Sequence, residues 1–99
     1  MKFNHQYLGY EPEDQRDIYT CNIIDDYGLP LGYCKYYKPM FEFDIVYIEY
    51  IQIYFEHRRH GYATEMVKEL QKSHTLKWDG RFSSEGRKWY NSLVERQLI

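Results

Sequence analysis

Residues 58 to 63, Arg-Arg-His-Gly-Tyr-Ala, have the composition of a turn that binds an anion. They follow an apolar stretch, and helical periodicity begins near Gly61. The first N–H groups of a helix have no partner within the helix and carry partial positive charge. Gly61 and Ala63 keep this turn small, and Arg58 adds a guanidinium that can bind a phosphate through two hydrogen bonds. The segment therefore predicts a phosphate-binding turn, in which Arg59 assists or faces water.

A long strand and a helix must position this turn. The run from Ile45 to Phe55 places apolar residues on both faces, which predicts a strand that is covered on both sides. One face would carry Ile45, Tyr47, Ile51, Ile53 and Phe55, and the other Val46, Ile48, Tyr50 and Tyr54. The period then changes to that of a helix over about residues 62 to 73. The apolar side of this helix would carry Ala63, Met66, Val67 and Leu70.

Glu49 is the carboxylate within this predicted strand, on a face that is otherwise apolar, between Tyr47 and Ile51. Burial there would raise the pKa of its carboxyl group toward that of a useful general base. The alternative is that the side chain reaches the end of the strand or pairs with a nearby cation. Both interpretations remain open from the sequence.

The motif Arg-x-x-Gly-x-Ala at 58 to 63, between a strand and a helix, resembles the Q/R-x-x-G-x-G/A signature of the GNAT acyltransferase superfamily. The resemblance covers residues 42 to 93 and includes a second helix, over Ser83 to Leu93. It implies an acetyl-CoA-dependent N-acetyltransferase that acts on a primary amine. The pyrophosphate of acetyl-CoA would lie on the turn, so the resemblance implies a set of cofactor-binding residues, namely Arg58, Arg59, His60, Gly61, Tyr62 and Ala63.

The resemblance also implies roles for three further residues. Glu49 falls at the strand position where many similar acyltransferases carry a glutamate that deprotonates the acceptor. Ile53 falls where the family's strand offers a backbone N–H to the thioester carbonyl. Tyr90 is the candidate acid, since a phenol with a pKa of about 10 can protonate a thiolate whose conjugate acid has a pKa of about 8.5. Tyr90 has an alternative role as a packed side chain whose hydroxyl binds water.

The N-terminal half of the chain predicts a short strand over Phe3 to Leu8, a polar connection over Gly9 to Arg16, and a hairpin. The hairpin strands span Asp17 to Ile24 and Leu31 to Tyr37, around a turn rich in Asp, Gly and Pro. A register that places Ile24 opposite Leu31 also places Cys21 opposite Cys34. We expect two reduced thiols that pack as small apolar residues rather than a disulfide.

The C-terminal part predicts a strand over Leu76 to Trp78, a turn at Asp79-Gly80, and a helix capped by Ser83 or Ser84. That helix would direct Trp89, Tyr90, Leu93 and Val94 toward the core. The expected fold is therefore an α/β, GNAT-like fold, with a mixed, mostly antiparallel sheet, a long central strand and two packed helices. Residues 1 to 99 would form a single acyl-CoA-binding domain.

Composition narrows the function classes. Of the 99 residues, 43% are hydrophobic and 19% are aromatic, which favours a folded domain. The net charge of −2 disfavours nucleic-acid binding. The sequence contains neither an apolar run of membrane-spanning length nor a signal-peptide pattern, so we expect no membrane partner and a cytoplasmic location. His57 and His60 are three residues apart without further ligands at metal-binding spacing, so no metal site is expected.

The chain also departs from the family pattern. Its opening segment has little room for the pair of helices that normally follows the first strand, and only residues 94 to 99 follow Leu93. Those parts usually help to wall the acceptor site. The alternative function is therefore a non-catalytic module of the same fold that binds CoA or a protein partner. Exposed sheet edges in so short a chain also favour self-association, such as a homodimer.

Overall fold

Five strands follow one another across a single sheet, in the order of the chain, and two helices complete the fold. The computed structural model describes residues 1–78 and 84–96. Neighbouring strands are antiparallel, except that the last two are parallel. The elements are β1 (Lys2–Glu11), β2 (Arg16–Ile24), β3 (Pro30–Pro39), β4 (Ile45–Ile53), α1 (Tyr62–Gln71), β5 (Thr75–Trp78) and α2 (Ser84–Glu95). This mixed, mostly antiparallel sheet with two helices is the predicted fold class.

The positions of the strands refine that prediction. β4 is an interior strand between β3 and β5, whereas β3 occupies the middle of the five. β4 ends at Ile53, and the next residues form a short 3₁₀ turn, Phe55–His57. Phe55 is 79% exposed, so its assignment to an apolar strand face was wrong. The predicted turn at residues 79 and 80 and the predicted cap at residue 83 lie outside the described residues.

The β2–β3 hairpin has the predicted pairing at its cysteines, with Cys21 directly opposite Cys34. The register shifts after Ile23, so that Ile24 lies opposite Pro30 and not opposite Leu31. The turn itself accounts for this shift, because the Asp25 carboxylate accepts hydrogen bonds from the N–H groups of residues 27 and 29, both at 2.8 Å. A side chain that organises the turn in this way fixes where pairing can begin.

Both cysteines are free thiols, as predicted, and both side chains are completely buried. Burial raises the pKa of the Cys21 thiol to about 12, and it also raises the pKa of Cys34. Since the thiolate is the reactive form, these two residues behave as small apolar core side chains.

β1 is longer than predicted, because pairing with β2 continues through Tyr10 and Glu11. A register shift between Tyr7 and Gly9 accommodates one extra residue, and Gly9 adopts a φ of 141° that other residues rarely adopt. The expected polar connection from Gly9 therefore shortens to the four residues between β1 and β2.

The core lies between one face of the sheet and α1. Met66, Val67 and Leu70 of α1 are buried, as their spacing predicts, whereas Ala63 is only half-buried. In α2, Leu93 is fully buried but Val94 is 47% exposed, so the prediction was right for the first and wrong for the second. The main buried cluster comprises Cys21, Ile23, Leu31, Cys34, Tyr36, Val46, Ile48, Met66 and Leu70.

A β-bulge divides β4 at Glu49. Tyr36 of β3 pairs with Ile48, and Lys35 pairs with Tyr50, so Glu49 has no Cα partner on β3. The extra residue resets the alternation of side chains, so that Ile51 joins Ile48 on the α1 face of the sheet. The expectation that β4 is covered on both sides was wrong. The residues that face α1 are Val46 and Ile48 before the bulge and Ile51 and Ile53 after it.

The opposite face of the sheet carries aromatic and charged side chains, and we call it the tyrosine face. Its members are Arg16, Tyr33, Lys35, Tyr37, Tyr47, Glu49, Tyr50 and Lys77. Tyr37 and Tyr47 stack with parallel rings and centroids 5.1 Å apart. The Arg16 guanidinium lies 4.1 Å from the centroid of Tyr37, and the Lys77 ammonium lies 5.7 Å from that of Tyr47. Tyr50, near the bulge, is 43% exposed.

A side-chain cluster ties β1 and β3 to α1. The His5 ring nitrogens lie 2.9 Å from the Tyr36 hydroxyl and 3.1 Å from the Glu69 carboxylate. Lys72 also contacts Glu69, at 3.1 Å. Burial raises the pKa of Glu69, but the hydrogen bonds from His5 and Lys72 outweigh it and hold that pKa below its usual value. This cluster was not predictable from local patterns, because its members are far apart along the chain.

This cluster predicts a loss of stability in acid. A carboxyl group whose pKa is lowered by folding stabilises the native state above its unfolded-state pKa, and this contribution disappears as the pH falls through the folded-state pKa. We expect Glu69→Gln to cost about 1 to 3 kcal/mol near neutral pH. This cost should shrink as the pH falls below 4.5, which is the ordinary pKa of the carboxyl group. Urea unfolding of both proteins across pH 3 to 7 measures it, and a pH-independent difference would contradict the ionic interpretation.

Gly32 provides a test of the β3–β4 packing. A Cβ atom at this position would lie 2.4 Å from the backbone oxygen of Gln52 and 2.8 Å from the Cα of Ile53. We expect Gly32→Ala to destabilise the protein by about 2 to 3 kcal/mol, because backbone must move to admit the methyl group. At Gly28 nothing lies within 4 Å of such an atom, so Gly28→Ala reports only the cost of its positive φ, about 1 kcal/mol. Chemical denaturation measures both, and a Gly32→Ala protein as stable as wild type would mean that the strands are further apart.

Candidate functional site

A strand, a short turn and a helix build the candidate site. After β4, the 3₁₀ turn Phe55–His57 leads to Arg59 and Gly61, which both adopt left-handed backbone angles with φ of 66° and 78°. Glycine adopts this conformation without strain, which explains its presence at the N-cap of α1. The helix begins at Tyr62, at the position that the sequence predicts.

The N-terminus of α1 has unused hydrogen-bond donors. Gly61 is the N-cap residue and has no side chain that could cap the helix. The first helical bond runs from the N–H of Glu65 to the carbonyl of Gly61, at 3.0 Å. The N–H groups of Tyr62, Ala63 and Thr64 precede that bond and therefore have no acceptor inside the helix. Nothing lies within 4 Å of a Cβ built on Gly61, so an anion can approach these donors.

The cationic residues before the helix differ in position. Arg58 folds back onto the end of β4, where its Nε donates to the carbonyl of Ile53 at 3.0 Å. Its guanidinium also lies 5.7 Å from the centroid of the Phe55 ring. Arg59 and His60 are exposed, and the His60 ring lies 5.7 Å from that of Tyr62. All the predicted cofactor-binding residues of the turn are thus close in space, and Arg58 links the turn to Ile53.

The edge of β4 that faces away from β3 is the second part of the site. Hydrogen bonds alternate between the two edges along a strand. The N–H of Tyr54 points toward β3, where it donates to the carbonyl of Leu31 at 3.0 Å. The preceding residue, Ile53, therefore directs its N–H and carbonyl toward the opposite edge, and the bond from Arg58 to that carbonyl agrees with this orientation.

β5 covers only the first half of that edge. The parallel ladder runs from the pair Ile45 and Thr75 to the pair Ile48 and Trp78. Within residues 1–78 and 84–96, no strand pairs with β4 on this side beyond Ile48. The bulge residue Glu49 is the next residue along β4, so the bulge begins where the described β4–β5 ladder ends.

Glu49 lies in different surroundings from those that the sequence favours. Its side chain is on the tyrosine face and is 34% exposed, and its carboxylate lies 3.4 Å from the ammonium of Lys35. The expected burial among apolar residues is absent, because Glu49 stays on the face of Tyr47 while the bulge moves Ile51 to the α1 face. Of the two interpretations left open, pairing with a cation describes the structure. Lys35 carries no local sequence signal of this contact, since only the register of β3 on β4 brings it to Glu49.

Tyr90 lies near the same point, on α2. Its ring packs edge-on against Trp78, with centroids 5.4 Å apart, and the neighbouring Trp89 packs against Trp78 in the same manner at 5.7 Å. Trp89 also donates from Nε1 to the hydroxyl of Thr64, in the first turn of α1, at 3.2 Å. Because Trp78 pairs with Ile48, these contacts bring Tyr90 to the end of the described β4–β5 ladder.

Two further properties bear on the site. In the part of the chain that the structure describes, no three His, Cys, Asp or Glu side chains are grouped so that they could hold a metal ion. Over the same residues, neither helix has the length and apolar character needed to cross a membrane.

Comparisons with known proteins support the fold. No protein-family model matches the sequence, and no curated protein matches it. Among solved structures, the chain is similar to a protein from Bacteroides thetaiotaomicron that is assigned to the GNAT family of acetyltransferases, with a TM-score of 0.57 and 16% sequence identity. The match covers 80% of this chain and 45% of that protein, so the chain spans less than half of its length. The similarity confirms the prediction of a GNAT-like fold.

Proposed function

We propose that residues 1 to 99 form an acyl-CoA-binding domain that transfers the acetyl group of acetyl-CoA to a primary amine. The observation that carries this proposal is the position of α1. Its uncapped N-terminus follows directly from β4, and the outer edge of β4 has no paired strand beyond Ile48 among the described residues. A ligand with an anionic end and an extended amide chain fits both features.

In this proposal the diphosphate binds at the start of α1. The N–H groups of Tyr62, Ala63 and Thr64 donate to its oxygens, and the partial positive charge of the helix terminus favours the anion. Arg59 and His60 are exposed beside these donors and can turn toward the phosphates. Arg58 keeps one hydrogen bond to Ile53 through Nε, and its terminal nitrogens would make a charge-assisted contact with the phosphate.

The extended part of the substrate lies along the outer edge of β4. Ile53 directs its backbone groups to this edge, as the bonds of Tyr54 and Arg58 indicate. Its N–H is positioned to donate to the thioester carbonyl, where it would stabilise negative charge that develops during acyl transfer. The side chain of Ile53 packs against the core, so this role depends on the backbone.

The proton transfers fall to Glu49 and Tyr90. Glu49 accepts a proton from the attacking amine, directly or through water, and Tyr90 donates one to the departing thiolate. This assignment is supported by their nearness to the end of the described β4–β5 ladder, since Glu49 follows Ile48 in β4 and Tyr90 packs on Trp78. Two buried free thiols suit a reducing compartment, so we place this activity in the cytoplasm.

A non-catalytic module of the same fold is the second candidate. This alternative is favoured by the ion pair between Glu49 and Lys35, because the carboxylate of the proposed base is already paired with an ammonium. Such a module would bind CoA at α1 without turnover.

The first test concerns the turn. Arg58→Ala removes a charge-assisted contact and should weaken acetyl-CoA binding by about 1.5 to 3 kcal/mol, or about 10- to 100-fold in Kd. Gly61→Val should also weaken it, because a branched side chain strains the left-handed N-cap and crowds the donors. Titration calorimetry measures both variants, and acetyl-CoA should raise the Tm of the wild type.

Lys68→Ala is the matched control for the turn. Lys68 is also cationic and lies on α1, but it is 51% exposed and pairs with Glu65 at 3.6 Å. Its removal changes the net charge by the same amount as Arg58→Ala, and we expect an unchanged Kd. Wild-type affinity in folded forms of both turn variants would place the ligand elsewhere on the protein.

The second test separates an enzyme from a binding module. Glu49→Gln keeps the shape of the side chain and loses the proton acceptor, so kcat should fall by about 100-fold or more, with little change in acetyl-CoA affinity. Tyr90→Phe should give a smaller loss. Glu42→Gln is the control, because Glu42 is a carboxylate that accepts from Tyr47 at 3.0 Å, away from the bulge. Release of free CoA is the readout.

An acceptor must first be found by screening polyamines, amino acids, aminoglycosides and lysine peptides against the wild-type protein. Binding of acetyl-CoA without release of CoA above hydrolysis in any of these reactions would favour the non-catalytic module. Full turnover by Glu49→Gln on a confirmed acceptor would instead leave the transferase proposal standing and show that Glu49 is not the base.

A further inference from the structure

Lys35 has an unusual position for a surface lysine. It belongs to β3 and pairs in register with Tyr50, but its ammonium lies 3.4 Å from the carboxylate of Glu49, on the bulge of the neighbouring strand. Its side chain is 32% exposed, and that of Glu49 is 34% exposed. The ammonium therefore lies over β4, next to the end of the described β4–β5 ladder.

Other lysines in the protein also pair with glutamates, and they provide a standard for comparison. Lys72 pairs with Glu69 at 3.1 Å, and its side chain is 72% exposed. Lys68 pairs with Glu65 at 3.6 Å and is 51% exposed. Both pairs lie along one helix, three residues apart, as is common on helix surfaces. Of these three lysines, Lys35 is the least exposed, and its partner is the residue that we propose as the general base.

We propose that Lys35 is itself an acetyl acceptor, so that the protein acetylates its own Lys35 from bound acetyl-CoA. This inference rests on the proposed function and names one acceptor for it. A primary amine within 3.4 Å of the proposed base has the position that an acceptor must take. Because the amine is tethered to the protein, the transfer needs no separate step in which an acceptor binds.

The reaction balances without a further reagent. Glu49 takes one proton from the Lys35 ammonium, and the freed nitrogen lone pair forms a bond to the thioester carbonyl carbon. The C–S bond breaks, and its electron pair leaves with sulfur. Of the two protons that the nitrogen loses, one ends on the thiolate, through Tyr90, and the other is released to water. The products are Nε-acetyl-Lys35 and CoA with a free thiol.

Acetylation of Lys35 would also change the site. It removes the positive charge, so Glu49 loses its ion pair on the tyrosine face. The carboxylate then becomes accessible to an external amine. The modification would thus convert the paired form of Glu49, which the structure shows, into a form that can act as a base on another acceptor.

The experiment measures acetylation at each lysine. The folded protein is incubated with acetyl-CoA and then denatured, the remaining amines are blocked with deuterated acetic anhydride, and chymotryptic peptides are read by mass spectrometry. Chemical acetylation by free acetyl-CoA should favour the most exposed amine, which among the paired lysines is Lys72. We expect Lys35 to react about tenfold faster than Lys72 or more, because positioning by a general base offsets its lower exposure.

Two variants assign the effect. Glu49→Gln should slow acetylation of Lys35 by about 100-fold and leave Lys72 unchanged. Glu69→Gln removes the carboxylate from the other pair and should leave Lys35 unchanged. Circular dichroism checks that both variants are folded. A tenfold dilution of the protein at constant acetyl-CoA should not change the rate constant for Lys35, since the transfer occurs within one molecule.

The inference is overturned if Lys35 reacts no faster than Lys72, if Glu49→Gln leaves its rate unchanged, or if the rate constant falls in proportion to dilution. Calorimetry with acetyl-CoA separates this failure from that of the proposed function. Acetyl-CoA that binds to the turn while Lys35 stays unmodified contradicts the self-acetylation alone. Absence of acetyl-CoA binding contradicts both.

Discussion

The bulge at Glu49 is the constraint on which the rest of the structure depends, because it lets one strand meet two different requirements. Before the bulge, β4 pairs with β5 and packs Val46 and Ile48 under α1. After it, Ile51 and Ile53 still face the core, although no described residue of β5 pairs with this part of the strand. Without the extra residue, the side-chain alternation would place Ile51 and Ile53 on the tyrosine face. The packing of the second half of β4 against the core therefore depends on the bulge.

The same strand also determines where α1 begins. Residues 54 to 61 lead from the end of β4 to the helix, and Arg58 binds back to Ile53 within that segment. The unpaired strand edge and the unpaired helix donors are therefore neighbours along the chain. Trp89 then connects α2 to Thr64 in the first turn of α1, which brings the second helix to the same region. Each candidate residue is positioned by backbone that the core already fixes.

The sequence predicted those features that depend on local chemistry. Gly61 and the apolar spacing after it located the start of α1, and the turn residues around Gly28 located the hairpin that pairs Cys21 with Cys34. The bulge was not predictable, because an apolar run on both faces is compatible with a strand buried on both sides and with a strand that shifts its alternation. The environment of Glu49 depends on that shift and on the β3 register. Local periodicity therefore predicted the strand correctly but predicted the wrong surroundings for Glu49.

The tyrosine face shows how a small domain can cover a sheet without a second helical layer. Tyr37 retains only 8% exposure, and the group above its ring is the guanidinium of Arg16. Its neighbour Tyr47 likewise meets the ammonium of Lys77. Cations in this position shield the rings while they remain hydrated themselves. The hydration of this face therefore depends on charge. Any change that neutralises Arg16 or Lys77 would leave an exposed aromatic surface that promotes association.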